Sequence, residues 1–193
     1  MKQNRSSQLA LLCAGVLTVA ALLASSAFAG PGPQTVPGDP LDPRTYAPES
    51  RLFLVVHAEG VQKYTCQADG TWLFTDPEAT LIKATGAAKP IGSHFLNFAT
   101  GRPVWELKDG SSVEAARRAS ASAGTENIPL LLLEAAATSA GADGDRDRLV
   151  ATTWVQRLST SGGVAPAGAC TPGEQTAVPY EADYLFWKAA GKS

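Results

Sequence analysis

Residues 61–77 read VQKYTCQADGTWLFTDP, and the way this stretch turns back on itself decides the fold. A two-residue loop at Asp69 and Gly70 would pair Cys66 with Leu73 and Tyr64 with Thr75, so that bulky and small groups face each other. A three-residue loop of Ala68, Asp69 and Gly70 pairs Cys66 with Trp72 and Tyr64 with Phe74. That register puts all four bulky groups on one face and leaves Thr65 and Leu73 on the other, with Gly70 in the left-handed position of a bulge. It is the consistent one, and it predicts an antiparallel hairpin. The same turn chemistry recurs at Lys108, Asp109 and Gly110, where a three-residue loop sets Trp105 opposite Val113.

Outward from these hairpins the chain keeps to short apolar segments separated by Gly, Asp and Pro. Residues 178–187 alternate with a period of two, Val178, Tyr180, Ala182, Tyr184 and Phe186 forming one face. Residues 52–56, 130–137 and 149–157 read as further strands, the second buried on both faces, with 139–148 as a polar loop. Residues 114–121 are rich in Ala and Arg and could be helix by propensity, but they continue directly from the second hairpin and are read as strand. The pattern predicts an all-β fold, a single antiparallel β-barrel or sandwich of about 8–10 strands. Barrel is preferred because consecutive hairpins suit an up-and-down order.

The chain opens with Lys2 and Arg5, an apolar run over 9–24 and the small-residue pattern Ala27, Phe28, Ala29. Residues 1–29 are read as a secretory signal peptide cleaved after Ala29. The run is shorter than the roughly 20 residues of a membrane span. Cys13 follows Leu12 inside that run, which does not suit lipoprotein processing. Residues 30–50 hold six prolines and are expected to form a flexible lead without a core element. The β domain is placed at 51–188, with 189–193 as a tail.

Removal of the first 29 of 193 residues leaves 164, enough for one domain. Lys+Arg then falls to 14 against 18 Asp+Glu, a net charge of about −4, and the local pair Arg117 and Arg118 reads as a solvated strand face. Nothing basic remains to hold a nucleic acid. Two cysteines stay in the mature chain, Cys66 and Cys170, and an even count in an exported protein predicts a disulfide. A loop of that length is worth about 4.7 kcal/mol at most in the chain-entropy model. The expected location is periplasmic or secreted, without a transmembrane segment.

The chain resembles a family of exported bacterial and fungal proteins known as domain of unknown function 3455. The residues that carry the resemblance are Gly60, Val61 and Gln62 with Tyr64 and Cys66; Trp72 and Phe74 before Pro77, Glu78 and Ala79; Gly92 with His94; and Trp105 and Glu106 before Asp109, Gly110 and Ser111. They continue through Ile128 and Pro129 before Leu131, Leu132 and Leu133; Gln156 and Arg157; Gly162 and Gly163 with Ala165 and Pro166; Cys170; and Val178, Pro179, Tyr180, Ala182, Asp183 and Tyr184. The resemblance implies export but supplies no catalytic residues. Two departures stand out: residues 95–104 are longer than the family's segment between its histidine and tryptophan, and Leu130 replaces a common Trp. The nucleotide-binding turn Gly-x-Gly-x-x-Gly is absent from the chain, so the dehydrogenase label some relatives carry does not transfer.

With only two histidines, His57 and His94, neutral-pH acid–base chemistry has few seats. His57 sits in an apolar strand and reads as structural. His94 beside Glu106 is the better catalytic pair, as base or ligand anchor. No Gly-x-Ser-x-Gly elbow exists, and Ser111, Ser112 and Ser161 lie at glycine turns. The acidic segment at 143–147 lacks the Gly and Glu of a calcium loop, so no metal and no cofactor are implied. Carboxylate pairs for glycoside hydrolysis could come from Glu59, Glu78, Glu106 and Glu134, but such pairs are defined in space. The inward-facing aromatics are first of all core, but a barrel of about eight strands can also leave room for one small ligand. The tryptophans Trp72, Trp105, Trp154 and Trp187 could line that space, and Trp72, Trp105 and Tyr180 are the ligand-binding candidates. The expectation is an exported non-enzymatic binding protein for a small ligand or an exported protein partner. The competing readings are a small extracytoplasmic hydrolase or lyase using His94 with a carboxylate, and an interaction module working through an exposed sheet face.

Overall fold

The hairpin at 61–77 forms in the predicted register, β1 (Arg51–Cys66) against β2 (Trp72–Lys83), with Cys66 opposite Trp72 and Tyr64 opposite Phe74. The computed structural model describes residues 35–84, 89–142 and 148–191. Residues 1–29, read above as a signal peptide, and the acidic segment 143–147 lie outside these. Six further strands follow: β3 (Pro90–Asn97), β4 (Arg102–Leu107), β5 (Ser112–Ala121), β6 (Leu130–Ser139), β7 (Thr152–Gly162) and β8 (Gln175–Lys188). Each pairs antiparallel with the next, and β8 returns to β1, closing an eight-stranded barrel. Among the described residues, closure leaves no edge strand of the kind that an open sandwich exposes.

The turns are built as the sequence implied. Asp69 Oδ1 accepts from the Thr71 backbone N–H at 3.0 Å and from its hydroxyl at 2.6 Å. Asp109 does the same for Ser111, at 3.0 and 2.6 Å. Gly70 and Gly110 take φ of +79° and +81°, the left-handed region that a residue with a Cβ resists. Trp105 lies opposite Val113. Residues 114–121 are strand, bent by irregularities after Glu114 and Arg117. Tertiary pairing with β6 overrides their helical propensity.

Alternation sorts the side chains. Val56, Ala58, Trp105, Val113, Leu133, Val155, Tyr184 and Phe186 belong to the cluster that fills the barrel. Leu132, Trp154, Leu158, Leu185 and Trp187 form a second cluster on the outer face, together with Leu41. This is why residues 130–137 read as buried on both faces. Leu41 shows that residues 35–50 are not the flexible lead expected from their prolines. They run as a strap of turns with one 3-10 turn (Pro43–Thr45), and Asp42, capping that turn, is fully buried. Gln156 Nε2 donates to the Leu41 carbonyl at 2.5 Å and to Thr35 Oγ1 at 3.0 Å, while Tyr46 stacks on Trp154 at 5.6 Å. Proline rules out a helix or central strand, but it does not prevent a turn-rich strap from covering an apolar face.

One strand limit also moves. Leu149, expected to open a strand, is instead a fully buried turn residue whose N–H donates to Ser111 Oγ at 3.2 Å, and β7 starts three residues later. At the opposite end of the barrel, Cys66 and Cys170 form the expected disulfide, with Cα atoms 5.8 Å apart. It ties the end of β1 to the β7–β8 connection.

Candidate functional site

His94 and Glu106 do not meet. His94 lies opposite Trp105, while Glu106 lies opposite Ser93. One step along a strand reverses the face, so His94 points into the barrel, only 3 % exposed, and Glu106 points to solvent. His94 Nδ1 is 2.8 Å from the Val104 carbonyl, which makes Nδ1 the donor and Nε2 the lone-pair nitrogen. Burial pushes the imidazole down to about 3, so it is neutral at physiological pH and a weak base. The proposed acid–base pair is therefore not assembled.

The other candidates separate in the same way. Trp105 and Tyr180 are buried in the interior, at 1 % and 3 % exposure, whereas Trp72 lies at the disulfide end opposite Cys66. Trp154 and Trp187 lie outside the barrel beneath the strap. The four tryptophans line no common space, because eight strands leave an interior that side chains can just fill. Glu59, Glu78, Glu106 and Glu134 are all exposed, on four different strands. Glu78 pairs with Lys63. His57, on the outer face, has Nδ1 3.0 Å from Asp183, and Glu59 lies 3.8 Å from its Nε2.

A different feature emerges on the outside of β3–β6. A groove of about 620 Å³ is lined by Phe95, Val104 and Phe98, with Asn97, Glu114 and Ser139 among its polar residues. Phe98 is 77 % exposed, yet the turn that carries it is tightly held. The Asn97 carbonyl accepts from the backbone N–H groups of Thr100 at 3.2 Å and Gly101 at 2.7 Å, and Asn97 Oδ1 accepts from Ala99 N–H at 3.0 Å. The Asn97 amide also donates to Glu114 Oε2 at 2.8 Å, and Arg102 lies 3.3 Å from Glu114 Oε1. The Asn97 amide, with help from Thr100 and Arg102, outweighs burial and holds the Glu114 carboxyl below its ordinary range. The groove thus combines an apolar floor, an aromatic wall and an ionised rim. The sequence contained one signal for it: residues 95–104, longer than the family pattern, place Phe98 inside a turn.

Fold and site together define a closed, packed β-barrel with its accessible chemistry on the outer surface. Residues 47–188 match the family described as "Protein of unknown function (DUF3455)", and the chain belongs to that family. Neither the curated proteins nor the solved structures contain a match to the chain. Among the described residues no helix is long and apolar enough to cross a membrane.

Proposed function

We propose that the chain is an exported, non-enzymatic binding protein that takes a small saccharide-like ligand in the Phe98 groove. The observation that carries this reading is Phe98 itself, a largely exposed aromatic on a turn fixed by Asn97. A turn already held in place lowers the ordering cost of binding. Its apolar face suits the C–H face of a sugar, while the Asn97 amide and the Glu114 carboxylate suit hydroxyl groups. The groove volume of about 620 Å³ falls in the range of small-ligand sites. Export is supported by the signal-peptide pattern of residues 1–29 and by the Cys66–Cys170 disulfide.

A glycan array probed with the mature oxidised protein and with Phe98→Ala tests the reading, followed by calorimetric titration of any glycan retained. Binding that Phe98→Ala weakens about tenfold or more without changing the unfolding midpoint supports it. Absence of glycan binding, or binding that Phe98→Ala leaves intact, rejects the groove as the site.

A further inference from the structure

The barrel interior holds several polar groups without a well-formed hydrogen bond. Gln62 Nε2, Trp105 Nε1, Tyr180 Oη and Tyr184 Oη are buried and make no hydrogen bond of ordinary geometry. The four residues are between 1 and 4 % exposed. Native interiors leave few such atoms unsatisfied.

These groups converge. The rings of Trp105 and Tyr184 lie 5.1 Å apart. A Cβ placed on Gly163 would lie 2.8 Å from Tyr180 Cβ and 3.0 Å from Gln62 Cγ, which brings those two side chains together beneath the β7–β8 connection. The polar ends lie within interaction range in a row, Gln62 with Tyr180, Tyr180 with Tyr184 and Tyr184 with Arg157, but none of these contacts has the geometry of a full hydrogen bond.

Arg157 supplies the charge. It lies on β7 directly opposite Tyr184, on the inward-facing side of the strand, two residues after Val155 of the core. Its field reaches Tyr64, His94, Tyr180 and Tyr184. Its Nε donates to the Pro129 carbonyl at 3.0 Å, and among the described residues no carboxylate lies within ion-pair distance of it. The imidazole that could have competed, His94, is neutral. A half-buried cation beside donors that lack well-formed hydrogen bonds favours an acceptor that carries negative charge over a neutral one.

We infer that the barrel binds one small monoanion between Arg157, the Tyr180 and Tyr184 hydroxyls and the Gln62 amide. Side chains nearly fill an eight-stranded interior, so the anion is the size of a halide or a single carboxylate group such as formate. This site is independent of the Phe98 groove.

Crystals of the mature oxidised protein grown in sodium bromide, and others in sodium formate, test the inference. Thermal unfolding in each salt, against sodium gluconate at equal ionic strength, provides the solution measurement. The expected result is an anomalous bromide peak or planar formate density at Arg157, and a saturable rise in midpoint over gluconate. Arg157→Gln should raise the half-saturating concentration about tenfold or more. Tyr184→Phe, which keeps the ring, gives the same test with a smaller shift should Arg157→Gln fail to fold. Bromide without formate identifies a halide site, and formate alone a carboxylate site. Density that refines as water in both salts, with midpoints that follow ionic strength alone, overturns the inference.

Discussion

His94 and Trp105 lie ring over ring across the β3–β4 pair, their centroids 4.5 Å apart and their planes 9° from parallel. The stack sits in the middle of the barrel, with Tyr184 5.1 Å from the imidazole. Burial makes this position suit a neutral ring, because it removes the water that would solvate the imidazolium.

A pH dependence of stability follows. The folded His94 imidazole protonates only near 3, whereas the unfolded chain takes up its proton near the ordinary value of about 6.5. Below that value the unfolded state binds more protons, so the full contribution present above pH 6.5 declines as the pH falls toward 3. At pH 5 the loss is about 2 kcal/mol. His94→Phe keeps the stack but loses the bond to Val104. It should be less stable at pH 7 and flatter between pH 7 and 5 in urea denaturation. An equally steep decline in the variant would assign the dependence to other groups.

One buried amide gives the strap its polar anchor. Gln156 Oε1 accepts from Trp187 Nε1 at 2.6 Å while its Nε2 donates to the Leu41 carbonyl, and Gln156 is itself fully buried. Gln156→Leu keeps the bulk but orphans both a buried indole N–H and a buried carbonyl. The expected cost is about 2–4 kcal/mol in denaturant unfolding, with faster proteolysis between residues 35 and 50. Unchanged protease resistance would mean that Tyr46 on Trp154 and Leu41 hold the strap without the amide.

Much of this fold was legible because it is local. Two Asp-x-Ser/Thr turns with a central glycine set the registers of Cys66 against Trp72 and Trp105 against Val113, and once two registers are known the period of two assigns faces along the remaining strands. Long-range features were harder to read. The strap carries its apolar contacts on a few scattered residues, Leu41, Pro43 and Tyr46 among them, and its partners Gln156 and Trp187 lie more than a hundred residues away. Pairing His94 with Glu106 required two residues twelve apart to share a face. The turn between β3 and β4 fixed which strand partner each one met, and that put them on opposite sides of the sheet. Phe98 was passed over because an aromatic in a turn carries no periodicity.

The Cys66–Cys170 bridge closes a separation of 104 residues. Its loss in the double variant Cys66→Ala/Cys170→Ser should lower stability by up to about 4.7 kcal/mol through the entropy regained by the unfolded chain. Guanidinium denaturation with and without reductant reads this directly. The wild type should fall to the level of the variant on reduction, and the variant should not respond. A loss well below 2 kcal/mol would show that the reduced unfolded chain keeps residual structure around the bridge.

Gly163 tests how tightly the disulfide end is sealed. It is buried with φ of +80°, and its carbonyl accepts from the Tyr64 hydroxyl at 2.6 Å. A Cβ there meets Tyr180, Gln62 and Ile128 at 2.8 to 3.0 Å, so Gly163→Ala combines left-handed strain with overpacking. Each effect is worth about 1–3 kcal/mol, and the variant should lose at least about 2 kcal/mol in urea. Gly168→Ala in the same connection also has positive φ, +91°, but meets nothing within 4 Å, so it isolates the backbone strain. If the two variants cost the same, the packing of Tyr180 against Gln62 contributes nothing at Gly163. A larger loss at Gly163 measures how firmly the interior cluster holds its shape.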